Sequence, residues 1–251
     1  MAKTRSQQRA DVQSAVIRVA TRLFVEKGYK ETTMADISLE SGIHIGSIYN
    51  IFRDKEDIVC EIAMKNAGIL NDEARRLLGC PDRGEYILFP SAEILTLASY
   101  SPRFARLMCV AYSSSKTMES GLEIQRAWLT RDLSASGLEF DSDGIVSVLC
   151  ACNGAMAGML TRYCNAPRTG IRNDLVLLAR ICGTLLGTPA DADASADAVL
   201  RVVDEHPPET LGLSGIDPDE MSVLRRGDSV GMRPIASKGP PMSRPAASSK
   251  P

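Results

Sequence analysis

Three polar side chains on one short segment have the clearest capacity for chemistry in this sequence. They are Ser47, Tyr49 and Asn50. The apolar residues of the same segment recur at three- and four-residue spacing: Ile45, Ile48 and Phe52. This spacing places the apolar side chains on one face of a helix and leaves a small, polar face opposite. Hydroxyl and amide groups on such a helix can hydrogen-bond to base edges in the major groove of duplex DNA, so we interpret the segment as a recognition helix.

A second short helix is expected immediately before this segment. Ala35, Ile37 and Leu39 are predicted to form its buried side, and Ser41-Gly42 breaks the pattern. Thr32 or Thr33 can cap the helix with its hydroxyl, and the free amides at such a helix start suit a DNA phosphate. The region from Thr33 to Lys55 therefore predicts a helix, a turn and a second helix.

Longer helices are predicted on either side of this motif. The helix from Arg9 to Lys27 has apolar residues in steps of four and three: Val12, Val16, Val19 and Leu23. The helix that begins after Asp54 has an acidic first turn and continues to Leu78, where Gly79 interrupts it. The first three helices form the predicted DNA-binding domain, and the fourth begins a larger helical domain.

The N-terminal motifs resemble the signature of the TetR family of bacterial transcriptional repressors in order and in spacing. The matching motifs are Phe24-Val25-Glu26-Lys27-Gly28-Tyr29, Thr32-Thr33-Met34-Ala35-Asp36-Ile37, Ser41-Gly42-Ile43, Gly46-Ser47-Ile48-Tyr49, Phe52 and Lys55-Glu56. The resemblance covers roughly residues 9 to 60 and does not extend to the rest of the chain.

The resemblance implies which residues contact DNA. The predicted DNA-binding set is Thr33, His44, Ile45, Ser47, Tyr49, Asn50 and Lys55. Within it, Tyr49 and Lys55 are expected to bind phosphates. His44 stands where the family often has a capping Ser or Thr, and Asn50 stands where it often has His. Ile45 could touch a thymine methyl group or turn inward, so the operator sequence is left open.

The remainder of the chain predicts an all-α fold, because no strand-type alternation appears. Two late segments, 145–163 and 171–185, carry continuous apolar seams. In TetR-like proteins the last two helices pair with those of a second subunit. The dimer interface expected from this is Leu149, Met156, Leu175, Leu178, Cys182 and Leu185. The alternative is that both seams pack inside one subunit. Gly154 and Gly158 would in addition let a second helix approach closely.

The resemblance also implies a cavity for a small-molecule effector among the central helices. The candidate lining residues are Phe89, Met108, Tyr112, Trp128, Met156, Met159 and Tyr163. Met and aromatic residues at helical spacing are more often core than pocket, so two or three of them are expected to line a cavity. Few charges lie among them, which favours a largely apolar effector.

Composition limits the other classes of function. A net charge of −2 argues against coating of nucleic acid and requires a local basic patch, for which the N-terminal Lys3, Arg5 and Arg9 are candidates. Seven scattered cysteines without a C-x-x-C pair, and no apolar leader, indicate a cytoplasmic protein. The apolar run 145–160 is too short to span a membrane. No cofactor, metal site or reaction centre is expected, so the chain is not read as an enzyme.

These inferences divide the chain into five parts. Residues 1–8 are a flexible basic arm, 9–54 the helix-turn-helix domain and 55–188 a helical regulatory and dimerisation domain. Residues 189–225 form an extension with a short helix from Ala196 to Glu205, and 226–251 a disordered tail. The expected partners are operator DNA, a second copy of the chain and a small effector. The alternatives are a helical scaffold protein that has lost DNA binding and a cysteine-based redox-responsive regulator.

Overall fold

A computed structural model describes residues 4–79, 84–135, 142–165, 170–186 and 191–207. It contains the helices α1 (Arg5–Glu26), α2 (Met34–Ser41), α3 (Ile45–Tyr49), α4 (Lys55–Leu78), α5 (Gly84–Tyr100), α6 (Pro102–Ser113), α7 (Ser115–Ala135), α8 (Ser142–Tyr163), α9 (Ile171–Leu186) and α10 (Ala192–Glu205). The described ranges contain no strand, which confirms the all-α prediction. The tail predicted over 226–251 lies outside them.

Helix α1 begins earlier than the sequence pattern suggested. Thr4 caps it, since its Oγ1 accepts a hydrogen bond from the Gln7 amide at 3.2 Å while Gln7 Oε1 accepts one from the Thr4 amide at 2.9 Å. This reciprocal cap extends the helix to Arg5. The prediction of a flexible arm over residues 1–8 is therefore wrong for residues 5–8, which are helical.

The core of the N-terminal domain joins α1, α2 and α3. Val16, Phe24, Ile37 and Ile48 are buried, and Phe52 is buried although it lies beyond the end of α3. The seam predicted along α1 is confirmed.

The prediction for α2 was wrong at Leu39, which is 81% exposed, and at Ala35, which is exposed as well. Residues two positions apart point to different sides of a helix, so Ile37 cannot share a buried face with its i−2 and i+2 neighbours.

Helix α4 connects the N-terminal domain to the larger helical body, as the sequence predicted. Asp54 caps it, because its Oδ1 accepts a hydrogen bond from the Asp57 amide at 2.9 Å. Gly79, with φ of 72°, ends it. The Ser101 hydroxyl caps α6, which begins at Pro102, a residue suited to the first position of a helix.

The two late seams face the interior of the subunit. Leu149, Met156, Leu175, Leu178 and Cys182 are all buried within one protomer. Only Leu185 of the predicted dimer set is exposed, at 49%. The assignment of the other five to a subunit interface is therefore corrected, because α8 and α9 bury these side chains against each other and against α5 and α6.

Helix α10 is an integral part of the body and starts four residues before the predicted position. Asp191 caps it, and its apolar face is buried against α5 and α9 through Ala196, Val199 and Val203. On its polar side Arg172 of α9 binds Asp197 at 2.6 Å. The placement of this helix in a separate extension was wrong.

Helix α8 is the one described helix whose length and composition would suit a membrane span, over Asp143–Tyr163. It packs against α6, α7 and α9, and 44% of its most apolar window is buried. The helix is longer than the apolar run 145–160, so the prediction that this run is too short for a membrane span is corrected.

Candidate nucleic-acid interface and ligand cavity

The turn between α2 and α3 sets the direction of the candidate recognition helix. Gly42 adopts a left-handed φ of 66° and ends α2. The Ser38 hydroxyl donates a hydrogen bond to the Ile43 carbonyl at 2.7 Å and so ties the turn back to α2. A residue with a side chain would be strained at Gly42, because L-residues rarely adopt this conformation.

His44 caps α3 in place of the Ser or Thr common at this position. Its Nδ1 accepts a hydrogen bond from the Gly46 amide at 3.1 Å. A Cβ on Gly46 would lie only 3.2 Å from that nitrogen, so the imidazole cap and the glycine depend on each other. His44 is thus placed as a positioning residue at the start of α3.

The polar face of α3 is exposed, as the sequence predicted. Ser47 and Asn50 are exposed and Tyr49 is 50% exposed. Ile45 is half-buried, which is compatible both with contact to a thymine methyl group and with packing inside the domain. The position of Ser47, Tyr49 and Asn50 fits contact with a large polar surface.

Basic residues of α1 share a groove with this face. Arg5 and Arg9 line the same surface groove as Ser47 and Asn50. Neither arginine forms an ion pair with an acidic side chain in the part of the chain that the structure describes. The sequence showed a basic N-terminus but did not place it beside α3, because that proximity depends on how α1 packs across the domain.

Two other basic residues of the domain are paired with acidic side chains. Arg22 pairs with Glu40 at 2.8 Å and Lys27 pairs with Asp36 at 2.7 Å. The hydrogen bond from Lys27, followed by those from the Thr33 amide and hydroxyl, lowers the pKa of Asp36 to about 2. The carboxylate therefore stays charged and holds the start of α2 at ordinary pH.

Thr33 is the cap of α2, one of the two alternatives predicted. Its Oγ1 accepts a hydrogen bond from the Asp36 amide at 3.0 Å and donates one to Asp36 Oδ2 at 2.8 Å. Thr32 is buried instead, and its hydroxyl donates to the Gly28 carbonyl at 2.8 Å. The Thr33 amide also donates to Asp36 Oδ2, at 2.8 Å, so both donors of this residue are used inside the domain and its predicted contact with DNA is corrected.

The prediction that Lys55 anchors a phosphate is corrected by its contacts. Its Nζ donates hydrogen bonds to the carbonyls of Tyr29 at 2.6 Å and Thr32 at 2.7 Å, and it lies 4.5 Å from the centroid of the Tyr29 ring. These contacts use the ammonium group to hold the α1–α2 loop against α4. Lys55 is therefore a structural residue of the domain.

Replacing Lys55 with Met should destabilise the protein by about 2 kcal/mol, because two buried carbonyls would lose charged hydrogen bonds. Urea unfolding followed by circular dichroism measures this. The slope of log K against log salt for DNA binding should not change. A decrease of about one in the magnitude of this slope would instead show that Lys55 binds a phosphate.

The first turn of α4 is held by the junction between α6 and α7. The Ser114 hydroxyl donates a hydrogen bond to Glu56 Oε1 at 2.6 Å, and Lys116 pairs with Asp57. We call these two contacts the α4 latch. The chain breaks at Ser114, between α6 and α7, and this break places both side chains against α4.

A cavity of about 100 Å³ lies in the body between α4, α5, α6, α7 and α8. Three of the predicted residues line it: Met108, Tyr112 and Trp128. The other four do not, which corrects the prediction for them: Phe89, Met156, Met159 and Tyr163. All four are buried elsewhere in the core, and the Tyr163 hydroxyl is occupied in a hydrogen bond to Asp174 Oδ2 at 2.6 Å.

The cavity wall is uncharged among the residues that the structure describes. Its polar part consists of amides and hydroxyls, including Asn153, whose Nδ2 donates to Gln125 Oε1 at 3.1 Å. Burial raises the pKa of the Tyr112 phenol to about 12, so this lining group is neutral. The cavity can therefore accept apolar groups and neutral hydrogen-bonding groups.

The outer face of α8 and α9 carries small and apolar groups. Gly154 and Gly158 point into open space, with no atom within 4 Å of an added Cβ. Leu177 and Leu185 of α9 are each about half exposed, at 50% and 49%.

The cysteines that the structure describes occupy buried, half-buried and exposed positions. Cys152 and Cys182 are buried with their Sγ atoms 3.1 Å apart, and Cys109 and Cys164 are half-buried at the same separation. Cys150 is exposed, as expected for a residue two positions from Cys152 on a helix.

Comparison with known proteins gives matches to the N-terminal domain. The profile "Bacterial regulatory proteins, tetR family" matches residues 16–62. The HTH-type transcriptional regulator AcrR of Shigella flexneri is 34% identical over 62 residues, which are 25% of this chain and 29% of that protein. The HTH-type transcriptional regulator HbdR of Aromatoleum sp. (strain CIB) is 43% identical over 51 residues, or 20% and 22% of the two chains. The matched segments thus span less than a third of these relatives.

Two solved structures are similar over a larger part of the chain. The fatty acid degradation regulator FadR from Bacillus halodurans covers 70% of this chain and 98% of its own, with 18% identity and a TM-score of 0.46. A gamma-butyrolactone receptor described as ArpA-like covers 79% and 99%, with 19% identity and a TM-score of 0.45.

Proposed function

Because residues 16–62 belong to the tetR family of bacterial regulatory proteins, we propose that the whole chain is a cytoplasmic transcriptional repressor that binds a palindromic operator as a homodimer. The observation that carries the proposal is the groove shared by Arg5, Arg9, Ser47 and Asn50. It combines cations for phosphates with hydroxyl and amide groups for base edges.

A mobility-shift assay on the DNA upstream of the protein's own gene tests this proposal. Binding should be specific and should weaken steeply as salt rises, because phosphate contacts release counterions. The absence of a specific shift at low salt would contradict it and favour the alternative of a helical scaffold protein without DNA binding.

Dimerisation in this proposal uses the outer face of α8 and α9. The open surface at Gly154 and Gly158 allows close approach of a partner helix, and Leu177 and Leu185 supply apolar area beside it. One recognition helix reads one half-site, so two protomers are needed for a palindrome.

The effector in this proposal is a small, largely apolar molecule that enters the central cavity. The volume of about 100 Å³ is well below the usual range for ligand pockets of about 300–1,000 Å³. A ligand of ordinary size must therefore move the surrounding helices apart. The ligand would then bind the conformation with separated helices more tightly than the closed one. A ligand shifts an equilibrium between two conformations only if its affinities for them differ.

The α4 latch gives this movement a route to the DNA-binding domain. Tyr112 and Thr117 line the cavity on either side of Ser114 and Lys116, which hold Glu56 and Asp57 of α4. Displacement of the α6–α7 junction would release the first turn of α4, which follows the recognition helix directly. The two recognition helices of the dimer would then lose the separation that matches successive major grooves.

Replacing Ser114 and Lys116 together with Ala should loosen the first turn of α4. Loss of one partly buried hydrogen bond and one ion pair, about 1.5 kcal/mol in sum, predicts roughly tenfold faster exchange of the Asp57 amide, which donates to Asp54 Oδ1. Hydrogen exchange with mass spectrometry measures it, with Lys65→Ala on the exposed side of α4 as the control. Equal exchange in the double variant and the control would show that the latch does not hold α4.

A redox-responsive regulator is the second candidate, favoured by the 3.1 Å separation of the Cys109 and Cys164 thiols. Peroxide could oxidise the two thiols to a disulfide while it is reduced to two waters. Operator affinity measured before and after peroxide treatment, in the wild type and in Cys109→Ser, decides this. If oxidation leaves the affinity unchanged, the candidate is abandoned.

A further inference from the structure

The indole of Trp128, a residue of the cavity wall, carries a fully buried hydrogen-bond donor that a ligand reaches only as the surrounding helices move apart. Trp128 lines the cavity, its side chain is buried, and its Nε1 has no hydrogen-bond partner among the described residues. An indole N–H can only donate, and a buried donor without a partner is destabilising. A bound molecule with an acceptor atom would relieve this cost.

The indole is also held in a fixed orientation. It stacks on the Tyr86 ring with centroids 4.8 Å apart and an interplanar angle of 19°. The Tyr86 hydroxyl in turn donates to Asp132 Oδ2 at 2.5 Å, and Asp132 accepts hydrogen bonds from Arg75 and Arg131. Because this network positions the ring before any ligand arrives, little side-chain entropy would be lost on binding.

The other lining groups decide the charge of the ligand. None of the described lining residues is acidic or basic, and the Gln125 and Asn153 amides bond to each other. A carboxylate or ammonium group would lose its hydration here and gain no opposite charge. A neutral carbonyl group would lose much less.

The position of the indole also separates it from the other buried polar group of α7 that has no partner among the described residues, the Thr117 hydroxyl. Thr117 lies three turns before Trp128, about 16 Å along the helix axis. A molecule small enough for the present cavity cannot reach both. Only the indole is limited to donating, so it gives the sharper requirement.

We propose that Trp128 Nε1–H donates a hydrogen bond to the carbonyl oxygen of an uncharged, largely apolar effector, such as a ketone or an ester. This inference rests on the proposed function only in assuming that the cavity binds the effector. Tyr86, Asp132 and Arg75 then connect the bound carbonyl to the later turns of α4. The flexible side chains of Met64 and Met118 allow the wall to adapt to the apolar part.

Trp128 is the single tryptophan of the chain, so a ¹H–¹⁵N spectrum of the labelled full-length protein contains one indole N–H signal. Three probes of equal chain length would be titrated: 2-hexanone, its isostere 2-methyl-1-hexene, and hexanoate. The ketone should move the indole proton downfield, as a new hydrogen bond requires, and the alkene should not. Hexanoate should bind at least tenfold more weakly than the ketone.

Trp128→Phe provides the matched variant, since it keeps the stacked ring and removes the N–H. Its affinity for 2-hexanone, measured by calorimetry, should fall about tenfold, while its affinity for the alkene stays the same. Equal losses for both probes, or no downfield shift in the wild type when the ketone binds, would overturn the proposal. The wild-type spectrum decides the question if the variant does not fold.

The mobility-shift assay separates failure of this inference from failure of the proposed function. Specific DNA binding without ketone binding would overturn the effector chemistry alone. Ketone binding at Trp128 without specific DNA binding would support the proposed effector site and contradict the proposed repressor function.

Discussion

Replacing Arg5 and Arg9 with Ala is expected to lower operator affinity about 100-fold at low salt, since each charged hydrogen bond contributes about 1.5–3 kcal/mol. Both arginines line the groove beside Ser47 and Asn50. The slope of log K against log salt should fall by about two, because each phosphate contact contributes about 0.9 to it. Fluorescence anisotropy with labelled operator DNA at four salt concentrations measures both quantities.

The control for this experiment removes equal charge elsewhere. Arg103 and Arg201 are exposed and lie outside the groove, on α6 and α10. Their double alanine variant should bind operator like the wild type. If both variants lost affinity equally, net charge and not the groove would account for the effect, and the groove would lose its role.

Replacing Gly158 with Leu is expected to abolish the dimer without unfolding the protomer. An added Cβ meets no atom within 4 Å inside the subunit, and Leu is the better helix former. Against a closely packed partner helix the same side chain would clash. Analytical ultracentrifugation should find a monomer, and operator affinity should fall about 10²–10⁴-fold as the second half-site no longer binds intramolecularly.

Gly68 on α4 supplies a matched control for that substitution. It too has no atom within 4 Å of an added Cβ, but it lies away from the face of α8 and α9. Gly68→Leu should remain a dimer. A dimeric Gly158→Leu protein would contradict the proposed interface and would require a different surface for association.

Local chemistry explains which elements could be predicted from sequence. Asp54 and Ser101 were predictable as caps because a helix start needs a side-chain acceptor within three residues. The apolar side of α1 was predictable because its period is that of a helix. For the same reason the polar face of α3 was identified correctly at Ser47 and Asn50.

Contacts between distant segments explain what could not be predicted. Lys55 meets carbonyls more than twenty residues away, and no local pattern records that geometry. The seams of α8 and α9 have the same period whether they face a partner or their own subunit, so Leu175 and Leu178 were placed at the wrong surface. Tyr163 was read as a lining residue because its hydrogen bond to Asp174 is invisible in the sequence.

The lining of the cavity was predictable from the sequence only in part. Met108, Tyr112 and Trp128 were expected to line it and do, because they lie on the helices that surround it. The amide groups of Asn66, Asn71 and Asn153 were not expected there. A buried asparagine on an otherwise apolar helix face is the signal that would have identified them.

Selection of operator DNA from a random pool by the full-length protein, with the protein-to-duplex ratio of the selected complex measured by native mass spectrometry, tests the central claim most directly. The repressor account predicts a palindrome whose half-sites lie about one helical turn or a small multiple of it apart, bound by an even number of protomers. Recovery of no enriched sequence, or of a single half-site bound by one protomer, would contradict it.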